Sequence, residues 1–218
     1  AGTTGVYKST NGGATWVQVS TGIPSSSLGV ATIAIDRANP SLLYAGLFAS
    51  SGFGLVRSTD AGATWIPMTS SVLPKATFDG LAIDPTNSSI VYAASMNGGV
   101  FKSLDKSVTW TDSSTGFPTF RITALAIGPT SSTTLYARVR DAGMYKTTNA
   151  GGNWALSNNG LSASLDVVAY ASALVVDPSN PSVLYTGTFS GGTFKTTNSG
   201  ANWTPVNNGL PANSGGAL

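Results

Sequence analysis

Five copies of one eight-residue motif recur in this 218-residue chain, at 9–16, 58–65, 103–110, 147–154 and 196–203. Each copy ends in tryptophan (Trp16, Trp65, Trp110, Trp154, Trp203). These are the only tryptophans present, spaced 49, 45, 44 and 49 residues apart. A unit of that length cannot bury a hydrophobic face by itself, so it must pack against its neighbours. With several short strands per unit, the expected outcome is a set of small sheets fanned about an axis.

The stretches between motifs align as strand-like segments. The first reads 31–36, 79–84, 123–128 and 172–177; the second reads 42–46, 90–94, 134–138 and 183–187. A third runs from Gly5, Gly54, Gly99, Gly143 and Gly192 into each motif, and a fourth begins near each tryptophan. β-Branched and aromatic residues dominate these runs, Gly, Pro, Asn and Asp punctuate them, and none has helical length or period. Small residues in the first segment (Ala31, Ala34, Ala82, Ala124, Ala126, Ala173) suit an innermost strand, where converging sheets leave little room. The expected fold is all-β: a propeller of four-stranded antiparallel blades, with four full blades and a two-stranded half blade. The repeat units of this single domain fall at about 1–19, 29–68, 78–113, 121–157 and 165–206, with 207–218 opening a further one.

The motif has a mechanical reading. Asn11, Asp60, Asp105, Asn149 and Asn198 can accept bonds from backbone N–H groups further along, closing an Asx-type turn. Gly13, Gly62, Gly151 and Gly200 supply a positive φ without steric cost. Copy three has Ser107 at that position, which predicts a strained or different turn. The first-position hydroxyl is expected to bond across the hairpin and the tryptophan to cover the adjacent sheet. All five motifs therefore read as structural braces.

Composition narrows the chemistry. There is no Cys, no His and no Glu; all nine acidic residues are Asp. Disulfides, thiolate or imidazole zinc sites, a serine-hydrolase triad and glutamate-dependent mechanisms are therefore absent. Charged residues make up 9% against about a quarter in ordinary soluble domains. The net charge of +2 is too diffuse for a nucleic-acid footprint. No apolar run approaches the length of a membrane span. Low charge with Ser/Thr/Asn-rich loops points to a secreted protein, extracellular or periplasmic. The turns at Asp36/Asn39 and Asp84/Asn87 carry too few acidic ligands for a calcium loop, so neither metal nor cofactor is expected.

The pattern Ser/Thr-x-Asp/Asn-x-Gly-x-Thr-Trp within units of this length resembles the Asp-box, or bacterial neuraminidase, repeat of β-propellers. The wording of 177–185 is most similar to secreted bacterial repeat proteins and xyloglucan-cleaving propellers. The resemblance implies the fold and leaves the activity open, because sialidases, xyloglucanases, sorting receptors and photosystem assembly factors share the repeat. Sialidases use a Tyr–Glu pair and arginines spread over separate blades. This chain has no Glu, and Arg138 and Arg140 share one strand end, so that activity is not implied.

In a propeller the loops from strand four to strand one, and from strand two to strand three, meet around the channel mouth opposite the motif turns. That face carries aromatics at Phe48, Phe53, Phe117, Phe120 and Phe189, candidate platforms for a sugar ring, and basic residues at Arg121, Arg138 and Arg140. Asp79 and Asp166 lie at or before innermost strands and are weak candidates for the acid and base of an inverting glycosidase. Three functions follow: a non-catalytic propeller binding glycan or protein, a scaffold assembling with copies of itself through its open blade, or a glycoside hydrolase or part of one. Eighteen strands leave the ring unclosed. A longer propeller, a five-bladed ring with one thin blade, or strands from a neighbouring molecule would each account for this.

Overall fold

The computed structural model describes residues 5–49, 52, 54–119, 121–161, 173–188 and 192–210. These hold eighteen strands in five antiparallel sheets, as the repeat predicts. The half blade pairs β1 (Tyr7–Lys8) with β2 (Val17–Gln18). The second sheet comprises β3 (Gly29–Ile35), β4 (Leu43–Phe48), β5 (Leu55–Ser58) and β6 (Ile66–Pro67). The third comprises β7 (Phe78–Ile83), β8 (Val91–Ser95), β9 (Gly99–Ser103) and β10 (Thr111–Asp112). The fourth comprises β11 (Ile122–Ile127), β12 (Leu135–Val139), β13 (Gly143–Thr147) and β14 (Ala155–Leu156). The fifth comprises β15 (Leu174–Val176), β16 (Leu184–Thr188), β17 (Gly192–Thr196) and β18 (Thr204–Pro205).

Strands within each blade follow chain order, and β3, β7, β11 and β15 line a central cavity of about 510 Å³. Ala34, Ala82 and Ala126 stand on that lining, in keeping with the crowding near the axis. The core is divided into four apolar clusters, each shared by two consecutive blades. Stability therefore accrues at the joints between neighbours, as in other repeat folds.

Each motif closes on itself in the expected way. Asp60 Oδ1 accepts from Thr64 N at 2.9 Å, and Ser58 Oγ accepts from Gly62 N at 2.9 Å while donating to Asp60. Copies with Asn149 or Asn198 repeat the pattern through the amide oxygen. Copy three keeps the same turn rather than adopting a different one. Ser107 N still donates to Ser103 Oγ, at 2.8 Å, with Ser107 held at φ 71°. The preceding residue is left-handed too, at Ala61, Lys106, Ala150 and Ser199. A non-glycine residue there costs about 1–2 kcal/mol.

That cost is offset across the joint, because the left-handed turn aims a carbonyl at the preceding blade. Lys8 Nζ donates to Ala61 O at 3.0 Å, Arg57 Nη1 to Lys106 O at 2.7 Å, Lys102 Nζ to Ala150 O at 3.0 Å and Lys146 Nζ to Ser199 O at 2.9 Å. The Tyr92 and Tyr136 hydroxyls join the last two carbonyls, each at 3.2 Å, with Lys102 and Lys146 lying over those tyrosine rings. The tryptophan answers in the other direction. Trp65, Trp154 and Trp203 Nε1 donate at 2.8–2.9 Å to Val19, Ser113 and Ser157 O of the preceding blade. The backbone N of each bonds Thr21, Thr115 or Asn159 O, and Gly22, Gly116 and Gly160 sit so close to the tryptophan carbonyl that a Cβ would overlap it. The motif tryptophan is thus a wedge between blades, buried to 2–4% exposure at positions 65, 110, 154 and 203.

The joint between β3–β6 and β7–β10 is built differently. Trp110 Nε1 is buried without an acceptor, as is the Tyr44 hydroxyl, which lies beside Ser107 and Arg57. Elsewhere Ser113 and Ser157 donate to the carbonyls of Gly151 and Gly200. Here Met68 takes the serine position and Ser107 the glycine position, so the hydroxyl comes from the opposite side and reaches Met68 Sδ at 3.2 Å.

Candidate functional site

Three of the four innermost strands, β3, β7 and β11, are bulged at one equivalent place. Register shifts between Val30 and Thr32, Phe78 and Gly80, and Ile122 and Ala124 leave Ala31, Asp79 and Thr123 as the extra residues. A bulge re-aims the side chain it carries and is common beside active sites. Only Asp79 of these three is ionisable. Its Oδ2 is buried without a hydrogen-bond partner among the described residues, and burial raises its pKa from 3.8 to about 6.

Apolar surface accompanies this carboxyl. Two residues before it, Thr77 Oγ1 accepts from Ala49 N at 3.2 Å, which fixes the end of β4 beside the start of β7. Gly46 and Gly54 permit the approach, since a Cβ at either would overlap the Phe78 or Ala76 carbonyl. Phe48, 41% exposed, ends β4, and its carbonyl accepts from the N–H of Leu28, which is also exposed. A partly buried carboxyl and an exposed aromatic–aliphatic pair are thereby placed on one blade junction. Asp79 and Phe48 were legible as separate candidates; Leu28 and Thr77 were missed, because neither residue type carries a chemical signature.

The other candidates lie apart from this junction. Phe117 packs against Trp154, ring centroids 4.9 Å apart and stacked, and edge-on to Tyr145 at 5.4 Å, so it plugs the joint between blades. Arg121 is paired with Asp141 at 3.1 Å on the surface. Arg138 is buried on β12 and, like Arg140, already has an interaction partner. Phe53, Phe120, Phe189 and Asp166 lie outside the described residues.

The central cavity opens at the other end of the propeller from this junction. Its lining runs through Asp36, Arg37, Asp84, Pro85, Pro129 and Pro178, the turns between first and second strands. Asp36 and Asp84 close Asx turns there through Oδ1, accepting from Ala38 N at 2.9 Å and Thr86 N at 2.8 Å, while Oδ2 of each, like that of Asp79, is buried without a hydrogen-bond partner among the described residues. No group of three metal-ligating side chains occurs among the described residues. No helix among them is long and apolar enough to cross a membrane.

No family model matches the chain, and no curated protein does. Solved structures do resemble it. An ancestral GH74 enzyme superposes with a TM-score of 0.71 at 23% identity, over 96% of this chain and 29% of that one. The GH74 enzyme of Niastella koreensis gives 0.65 at 20%, over 92% and 42%. The GH74 xyloglucanase of Xanthomonas campestris gives 0.58 at 17%, over 93% and 42%. The chain spans about three tenths to two fifths of the length of these structures. What it shares with them is the propeller fold.

Proposed function

We propose that this chain is the carbohydrate-handling propeller of an extracellular glycoside hydrolase, with Asp79 as its proton-donating carboxyl. The observation that carries the reading is the bulged Asp79, whose raised pKa keeps it partly protonated near pH 6, on the same blade junction as exposed Phe48 and Leu28. The fold likeness to GH74 enzymes and the Asp-box wording of the motifs support the same reading. A β-linked glucan would stack a sugar face on Phe48 and bring its glycosidic oxygen to Asp79. As the C–O bond breaks, the Asp79 proton passes to the departing oxygen. A water attacks the anomeric carbon from the opposite face and yields its proton to a second carboxylate about 6.5–9.5 Å away. Asp166 or a residue of a longer protein is assigned that second role.

One observation favours a second reading, a propeller that binds glycan without cleaving it. Asp141, a carboxylate on the same loop set, is held by Arg121. Hydrolysis of xyloglucan and unbranched β-glucan, with binding measured in parallel, decides between them. The hydrolase reading expects activity that falls above about pH 6 and is lost in Asp79→Asn, with binding retained. Binding without hydrolysis supports the second reading. Hydrolysis that survives Asp79→Asn, or the absence of any glycan binding, refutes the proposed site.

A further inference from the structure

The seventh position of the motif is Thr15, Thr64 and Thr109 in the first three copies and Asn153 and Asn202 in the last two. In the first three, the threonine hydroxyl occupies the second polar atom of the Asx side chain. Asn11 Nδ2 donates to Thr15 Oγ1 at 2.9 Å, and Thr64 and Thr109 donate to Oδ2 of Asp60 and Asp105 at 2.6 and 2.5 Å. Asn153 makes no such bond. Asn149 Oδ1 still accepts from the Thr147 hydroxyl at 2.7 Å and from Asn153 N at 2.9 Å, so its amide is held in place. Its Nδ2, and both ends of the Asn153 side-chain amide, are left without a partner among the described residues.

Asn149 and Asn153 border a groove of about 420 Å³ between β14 and the motif turn of the following blade. That volume falls within the roughly 300–1,000 Å³ of small-molecule sites. Ala155 and Leu156 give the groove an apolar part; both are exposed, Leu156 to 61%. One blade earlier the same places have the opposite character. Thr111 and Asp112 stand where Ala155 and Leu156 do. Thr111 Oγ1 donates to Lys102 O at 3.2 Å, and Asp112 Oδ1 accepts from Ser114 Oγ at 2.5 Å, so those polar groups are turned on one another. Lys146 is the one charged residue lining the β14 groove among the described residues, and its ammonium is engaged by Ser199 O.

We propose that this groove binds a neutral oligosaccharide, at a second site separate from Asp79. The Asn153 amide offers a donor and an acceptor side by side, which matches neighbouring hydroxyls of a sugar ring. Asn149 Nδ2 adds a donor whose orientation is already set, so little freedom is lost on binding. Leu156 takes a C–H face of the ring. No uncommitted charge waits for an anionic or cationic ligand. The groove belongs to β14, the outermost strand of its blade, and to the next motif turn, whereas Asp79 lies on the innermost strand β7. The inference therefore does not rest on the hydrolase reading.

The test is a proton–nitrogen NMR titration of residues 1–218 with cellotetraose, mannotetraose and maltotetraose, following the side-chain amides of Asn149 and Asn153. Three variants copy residues that the chain itself uses at equivalent positions, so each is expected to keep the parent melting temperature. Asn149→Asp copies Asp60 and Asp105, Asn153→Thr copies Thr64 and Thr109, and Leu156→Asp copies Asp112. At least one tetrasaccharide should shift both amides. Each variant should weaken that binding about tenfold, the worth of about one net hydrogen bond or of the apolar contact. No shift at either amide with any of the three sugars, or an unchanged affinity in Asn153→Thr, would overturn the proposal. So would shifts with tetra-alanine and none with the sugars, the mark of a peptide groove. Shifts around Phe48 and Asp79 alone would refute this site and leave the hydrolase reading standing. Shifts at Asn149 and Asn153 without hydrolysis would do the reverse.

Discussion

Replacing Trp110 and Trp203 in turn by phenylalanine should give unequal losses of stability. Both indoles are almost fully buried between blades, and both substitutions remove the same five-membered ring. The loss of apolar contact and the residual space are therefore similar and cancel in the comparison. The hydrogen bonds do not cancel. Trp203 Nε1 donates to Ser157 O at 2.9 Å, so Trp203→Phe strands a partly buried carbonyl at about 1–3 kcal/mol. Trp110 Nε1 has no acceptor, so Trp110→Phe relieves a desolvated donor and regains about 1 kcal/mol. The expected difference is about 2–4 kcal/mol. For a chain of this length that is roughly 4–16 °C in melting temperature, Trp203→Phe being the lower. Thermal unfolding followed by far-ultraviolet circular dichroism reads it directly. Equal losses, or a larger loss for Trp110→Phe, would refute the claim that the second joint lacks the indole bond.

Three further outcomes are expected. Asp60 and Asp105 are held at about 2 by the hydroxyl and N–H of Thr64 and Thr109. Their contribution is complete above the unfolded value near 3.8 and is lost as pH falls towards 2, so Asp60→Asn with Asp105→Asn should flatten melting temperature against pH in that window. Asp79 has the opposite sign: its raised pKa means the folded chain binds the extra proton, and stability declines as pH rises from about 4 to about 6. Asp79→Asn should abolish that decline and melt higher than the parent at neutral pH. Finally, Gly160→Ala should cost at least about 2 kcal/mol by forcing a Cβ onto the Trp203 carbonyl, while Gly187→Ala, with open space and no left-handed backbone, should be neutral or gain about 0.4–1 kcal/mol; chemical denaturation of the two compares them.

The blades were legible because the pattern that encodes them is local. Each strand is a short β-branched run bounded by turn formers, and a tryptophan marks each period. The joints were harder to read. Tyr92, Lys102, Ala150 and Trp154 act together but are scattered over sixty residues, and nothing in one repeat shows which residues of the next it will touch. The left-handed Ala61, Lys106, Ala150 and Ser199 carry no turn signature, because the carbonyl they aim across the joint is common to every residue type. Asp79 could be named as a carboxyl near a mouth, whereas its bulge, unpartnered oxygen and raised pKa depend on register and burial. Phe117 shows the converse, since an aromatic in a loop gives no sign of whether it will face solvent or, as here, stack on Trp154.

The exchange of Met68 and Ser107 for the serine–glycine pair found at later joints gives the blades an address. A serine side chain at position 151 would meet the Ser113 hydroxyl, and one at 200 would meet that of Ser157. A blade bearing the Ser107-type turn therefore fits behind Met68 as it stands, whereas at those two places the serine hydroxyl it meets must turn aside. Shuffling repeats of this chain would accordingly be sensitive to the identity of neighbouring modules, with the Met68–Ser107 pair favouring one order.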